Sequence, residues 1–277
     1  MKKGSFDALN KDALLWDLLA KESAPAWWQN ILDDSELYVE VRKDNYVNVY
    51  YYGASVALIK CEKGDIEAYT HYKYLGKEKL GNKIYLNCTE LIKTKEGIDS
   101  IKQAIKDAYL SKEKKVQGML KLHHNTKYID SEFAYKKEDG GKNNTTRIDL
   151  IELRGNTLHF VELKLIDDAR LRINPDRKPS TSEDEPEINQ QMRNYCIFIE
   201  GHEKDLKQYY SNLLAIKKKI GVWQGQTQVE EVCTTPHLLV VNTYSKPLSK
   251  GKQERMNYIK ALGNECFDTE VVDIDAL

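Results

Sequence analysis

The sequence predicts an α/β (α+β) fold: a mixed central sheet flanked by helices, preceded by a small antiparallel β-meander with helices. Three observations carry this reading. Strand-like alternation with frequent tyrosines runs through residues 37–75. Two apolar strand patterns, 146–153 and 157–165, meet at Gly155-Asn156, a dipeptide suited to a tight hairpin. A long helical stretch then separates this hairpin from another apolar strand at 237–243.

The first helix is expected at 12–21, where Leu14, Leu15, Leu18 and Leu19 share a helical face. Trp27 and Trp28 follow Pro25 and are expected to pack on a core. In the meander, Val39, Val41, Val47, Val49 and Tyr51 alternate, with turns at Lys43-Asp44-Asn45 and Glu62-Lys63-Gly64-Asp65, predicting three or four strands. Its tyrosines suit a half-buried sheet; the same rings can also stack on bases. A second helix is expected at 100–110, with Ser100 and Gln103 as a capping box and Ile101, Ala104, Ile105 and Ala108 as its apolar stripe. Lys112, Lys114, Lys115 and Lys121 then read as a solvated run that can also meet phosphate. A strand at 128–135 leads to a turn carrying Gly140, Gly141, Asn143 and Asn144, and then to the hairpin. The segment 166–186 is polar, holds three prolines and reads as a surface loop or a lid. A helix begins near Glu187 and continues, with a break, to Ile220; a helix at 251–262 and a strand at 269–274 close the chain. The expected division is 1–97, an α+β domain holding the meander, and 98–277, the domain holding the hairpin.

With 277 residues, 41% of them hydrophobic, the chain can fill a sizeable core. No run approaches the roughly 18 apolar residues of a membrane span, and Met1-Lys2-Lys3-Gly4-Ser5 leads into an amphipathic stretch, so a cytoplasmic protein is expected. Cys61, Cys88, Cys196, Cys233 and Cys266 are scattered singly, which speaks against a zinc knuckle or an iron–sulfur cluster and for free thiols. A formal net charge of -1 argues against a protein that coats DNA by charge, though not against one that gathers carboxylates to hold cations.

The chemistry is concentrated in Arg147-Ile148-Asp149-Leu150-Ile151 and Phe160-Val161-Glu162-Leu163-Lys164-Leu165. Alternate strand residues share a face, so Glu162 and Lys164 point the same way, and Asp149 on the neighbouring strand can reach them. Two carboxylates and an ammonium on a half-buried patch are costly unless paired or metal-bound. With the Leu163 carbonyl they make a hard-oxygen site suited to Mg²⁺, for which Mn²⁺ can substitute. The same three side chains also suit a structural ion pair on an edge hairpin.

This pattern resembles the PD-(D/E)xK nuclease superfamily, and the order of elements from about 98 to 245 is similar to its restriction-endonuclease-like core. Gln191-Met192-Arg193-Asn194-Tyr195 resembles the Q-x-x-x-Y motif of RecB-like and lambda exonuclease-like members. The chain departs from the G-x-I-D-L form in having Thr145-Thr146 where a glycine often sits, and no proline precedes Asp149. The resemblance implies a metal-dependent phosphodiester hydrolase with Asp149, Glu162, Lys164, Gln191 and Tyr195 as catalytic residues. Asp149, Glu162, Leu163 and Glu132 are its expected metal ligands, with Asp130, His123 and His124 as lesser candidates. Arg147, Arg170 and Arg172 are expected on the substrate. DNA is expected ahead of RNA, no membrane partner is expected, and a second copy or a partner protein is compatible with the pattern. A restriction or anti-phage effector fits this outline; so does an inactive nuclease-fold module that binds nucleic acid or protein.

Overall fold

The computed structural model describes residues 6–108, 111–136, 145–172 and 185–277. The turn expected around Gly140–Asn144 and residues 173–184 of the polar segment lie outside them. Two short helices, α1 (Leu14–Leu18) and α2 (Ala26–Asp33), bury Leu15, Trp16, Trp28 and Ile31. Five strands follow: β1 (Leu37–Arg42), β2 (Tyr46–Tyr51), β3 (Ala54–Glu62), β4 (Asp65–His71) and β5 (Tyr85–Asn87). They form an antiparallel sheet in chain order. The two-residue loops Tyr52-Gly53 and Lys63-Gly64 hold both residues at positive φ, the geometry that matches the twist of paired strands. The predicted meander therefore forms, with β5 added. At three residues β5 is too short to show a periodic signal.

The helices α3 (Thr89–Ile92) and α4 (Lys95–Asp107) pack beside this sheet. Thr94 caps α4, accepting from Gly97 N at 3.1 Å, so Ser100 lies inside the helix and is not its cap. The lysine run forms a further helix, α5 (Lys112–His123), capped by Ser111 and burying Val116 and Leu120. A solvated face was expected there, because four charges open the helix and hide its sparse apolar stripe.

The second sheet contains β6 (Tyr128–Lys136), β7 (Thr145–Arg154), β8 (Thr157–Leu165), β9 (Glu231–Val232), β10 (His237–Asn242) and β11 (Asp268–Asp273), with α6 (Glu187–Lys219) and α7 (Lys250–Lys260) in the connections. Its order is β11-β10-β8-β7-β6, with β9 also pairing β8. β6, β7 and β8 run antiparallel, whereas β10 is parallel to both β8 and β11. Gly155 at φ 57 closes the β7–β8 hairpin as predicted. Val116 and Leu120 of α5 pack on Leu150, Val161, Leu163, Leu239 and Val241. On the other side, Leu158, Phe160, Leu238 and Val240 join the larger core with Ile188, Met192 and Tyr195 of α6. The expected break in α6 falls at His202, whose φ is -131.

The larger core runs through residues of both sheets, from Leu9 to Phe267. β1 packs against β6, α5 and α6, and the two sheets share a buried ionic cluster. Glu40 of β1 is 0% exposed and meets Lys121 Nζ at 2.8 Å and Lys217 Nζ at 2.5 Å. Arg42 Nη1 donates to Asp130 Oδ1 at 2.7 Å, and Tyr210 Oη to Asp130 Oδ2 at 3.2 Å. Burial alone would raise the Glu40 carboxyl, but Lys121, Lys217 and Arg42 outweigh it and hold it down at about 2.

Close backbone approach seats α5 on the first sheet. A Cβ on Gly118 would lie 2.6 Å from Gly53 N and 2.7 Å from Tyr52 C. Gly118→Ala is expected to destabilise by about 1–3 kcal/mol despite the better helix propensity of alanine. Urea unfolding measures this, and an unchanged or raised midpoint would contradict the packing account.

Candidate active site

The hairpin positions the first three residues. Leu150 of β7 pairs with Val161 of β8, so the next step along the ladder brings Asp149 beside Glu162. There the ladder opens. Leu163 N–H donates to Asp149 Oδ2 at 2.9 Å, and the Asp149 carbonyl accepts from Gln117 Nε2 of α5 at 2.7 Å. The Asp149 carboxylate is thereby fixed by backbone, and its backbone by a helix. Its side chain remains 28% exposed, while Glu162 and Lys164 are 2% and 1% exposed.

Lys164 Nζ contacts Glu162 Oε1, donates to the Leu163 carbonyl at 2.8 Å and lies 3.6 Å from Asp149 Oδ2. Three oxygens thus converge on one positive point; they belong to three of the four expected metal ligands, Glu132 being the fourth. Among the described residues no group of three or more His, Cys, Asp or Glu side chains is arranged to hold a metal. The set here is instead two carboxylate oxygens and one carbonyl oxygen around the Lys164 ammonium. All three are hard oxygens, which fits Mg²⁺ or Mn²⁺.

The α6 residues complete the arrangement. Gln191 Nε2 donates to Glu162 Oε1 at 2.6 Å and lies 2.7 Å from Tyr195 Oη. Tyr195 Oη lies 2.9 Å from Glu162 Oε2 and also against the Arg147 carbonyl. Its single proton serves one of these at a time. Their i, i+4 spacing on one helical face places both side chains over the same carboxylate. Burial, with Asp149 beside it, pushes the Glu162 carboxyl up to about 7, against the opposing pull of Lys164.

A further acid, Glu113, went unread in the sequence. It sits in the first turn of α5, half-buried, close enough to Lys164, Asp149 and Arg170 for each to act on its charge. Burial raises its carboxyl, Lys164 opposes this and Asp149 adds to it. The legible signal was Ser111 as an N-cap with an acid two residues on.

Glu132 does not take that place. It adopts φ 54 in β6, lies 3.9 Å from Lys114 and acts on the hydroxyls of Tyr38, Tyr46 and Tyr50 of the first sheet. Its expected place as a metal ligand came from the resemblance; in the structure the positive φ accompanies a side chain directed to Lys114 and the first sheet. Asp130 is bound to Arg42. His123 and His124 close α5 at the end opposite Glu113, with His123 Nδ1 2.9 Å from the Leu277 carbonyl and His124 edge-on to Tyr128. Arg170 pairs with Asp168 at 2.7 Å and acts on Glu113 and Glu162, so it borders the carboxylates. Among the described residues Arg172 reaches the Asp167 carbonyl, at 3.4 Å, and the Arg147 residue is exposed with its own carbonyl turned to Tyr195. Compared with models of protein families, with curated proteins and with solved structures, the chain matches none.

Proposed function

We propose that the chain is a divalent-metal-dependent nuclease of the PD-(D/E)xK kind that hydrolyses phosphodiester bonds of DNA. The observation that carries this is the convergence of Asp149, Glu162 and the Leu163 carbonyl on one cationic point, backed by Gln191 and Tyr195. The order α5, β6, β7, β8, α6, β10, with β10 parallel to β8, supports a restriction-endonuclease-like core.

Asp149, Glu162 and the Leu163 carbonyl would hold Mg²⁺ or Mn²⁺, with Glu113 as a neighbouring acid. When bound, the ion supplies charge to polarise a phosphoryl oxygen and lower the pKa of water. Lys164 then donates to the phosphate or to the attacking oxygen, stabilising negative charge as it develops. Gln191 and Tyr195 fix the Glu162 rotamer, and Arg170 offers its exposed edge to a neighbouring phosphate. Water adds across one P–O bond, leaving a phosphate monoester and a hydroxyl.

The test incubates purified protein with linear, circular and single-stranded DNA and with RNA, in Mg²⁺ or Mn²⁺. Cutting that disappears in Asp149→Asn supports the proposal. Cutting of none of these substrates, or equal cutting by Asp149→Asn, rejects it. Cation binding seen by calorimetry without any cutting would favour a nuclease-fold binding module.

A pH dependence follows from the Glu162 carboxyl. Its value of about 7 lies above the ordinary 4.5, so the metal-free site holds a proton below about 7 that a cation must displace. Calorimetry in buffers of different ionisation heat is expected to show about one proton released per ion at pH 6 and almost none at pH 9. Equal release at both would contradict this assignment.

A further inference from the structure

Beside the buried ionic cluster, between the first sheet and α5 and α6, lies a cavity of about 280 Å³. Lys121 and Lys217 line it, together with Tyr38, Tyr128 and Trp223, and Asn125 stands at an exposed rim. Both lysine side chains are 4% exposed. An ammonium carries three N–H donors. Lys121 spends one on Glu40 and one on the Tyr128 carbonyl; Lys217 spends one on Glu40 and one on the Ile129 carbonyl. Each therefore keeps one donor without a protein acceptor among the described residues.

The charges are also unequal. Among the described residues, Arg42, Lys121 and Lys217 face two carboxylates within the cluster, Glu40 and Asp130. Asp34 also lines the cavity, but its carboxylate is bound to Lys102 at 2.9 Å. The imbalance is felt at Lys121. Burial brings its ammonium down to about 8 against the pull of Glu40, and Lys217 adds to the drop. An anion entering from the cavity side would relieve that cost.

We propose that this cavity binds a small oxyanion, a phosphate or carboxylate head group whose oxygens accept the two free N–H donors of Lys121 and Lys217. The site shares no lining residue with the Asp149–Glu162 centre, so it stands independently of the nuclease reading. Its two lysines nevertheless sit on α5 and α6, the helices that carry Glu113 and the Gln191–Tyr195 pair at their other ends.

The test uses the full chain in buffer stripped of metal over a chelating resin. Sodium phosphate and sodium acetate are titrated separately against chloride at matched ionic strength, following the melting temperature. A saturating rise of about 2 °C at ten times Kd is expected in at least one arm, and the arm tells phosphate from carboxylate. The rise is expected to vanish in Asn125→Trp, which fills the mouth from an exposed position away from the ion pairs. It is expected to vanish also in Lys121→Met. No saturable rise with either anion would overturn the proposal, leaving water as the occupant. A rise of equal size in Asn125→Trp would also overturn it, since the anion would then bind elsewhere.

Discussion

Lys164→Met is expected to lower the hydrolysis rate on the order of 10²–10³-fold, the usual loss when one preorganised donor to developing charge is removed. The same variant is expected to bind Mn²⁺ at least as tightly as the parent. The Lys164 ammonium lies at the meeting point of Asp149 Oδ2, Glu162 Oε1 and the Leu163 carbonyl. A cation must displace it, and methionine removes that competitor. Asp149→Asn behaves differently, because it deletes a donor and should weaken both binding and rate. Single-turnover kinetics beside calorimetry separates the two outcomes. A parental rate in Lys164→Met would exclude the ammonium as a donor to the transition state, and a loss of Mn²⁺ affinity would exclude it as the ion's competitor.

Glu40→Ala is expected to cost roughly 3–5 kcal/mol, the range for removing one partner of a buried ion pair. The carboxylate is 0% exposed and bridges Lys121 of α5 to Lys217 of α6. Without it, the buried Lys121 and Lys217 and the largely covered Arg42 are left, among the described residues, with Asp130 as their carboxylate. In a chain of this size the melting temperature should fall by roughly 5–9 °C. The pH dependence carries its own sign. Held at about 2 instead of the ordinary 4.5, Glu40 contributes stability that is complete above about 4.5 and fades as pH falls toward 2. The gap between parent and Glu40→Ala should narrow over that interval. A variant within about 0.5 kcal/mol of the parent at pH 7 would place the stability of this interface in its apolar contacts.

The legible part of the sequence was the part governed by short-range rules. Period-two alternation and Gly155-Asn156 gave β8 its observed span of Thr157–Leu165 and brought Asp149 beside Glu162. The Gln191 and Tyr195 spacing likewise placed both on one carboxylate. Where charge masked periodicity, reading failed. Glu113 was hidden in a lysine-rich helix whose buried stripe is thin. Glu132 was expected at the metal on the resemblance alone, and the positive φ that goes with its contact to Lys114 has no local signal, since nothing near it is a glycine to announce one. The ionic cluster was out of reach for a different reason. Glu40 and Lys217 are 177 residues apart in the chain, and no local rule couples them.

That cluster bears on how such a chain can be divided. A cut between residues 97 and 98 falls within α4, which spans Lys95–Asp107 and packs on β3 of the first sheet. The C-terminal fragment would keep Lys121, Asp130 and Lys217 and lose Glu40 and Arg42, exposing two like charges and an orphaned acid where an interior had been. Grafting the C-terminal half onto another sheet would therefore require that sheet to bring its own glutamate and arginine, in register. Exchange of modules, an easy route to new specificity in proteins joined by linkers, is closed to this one unless the counter-charges travel with the module.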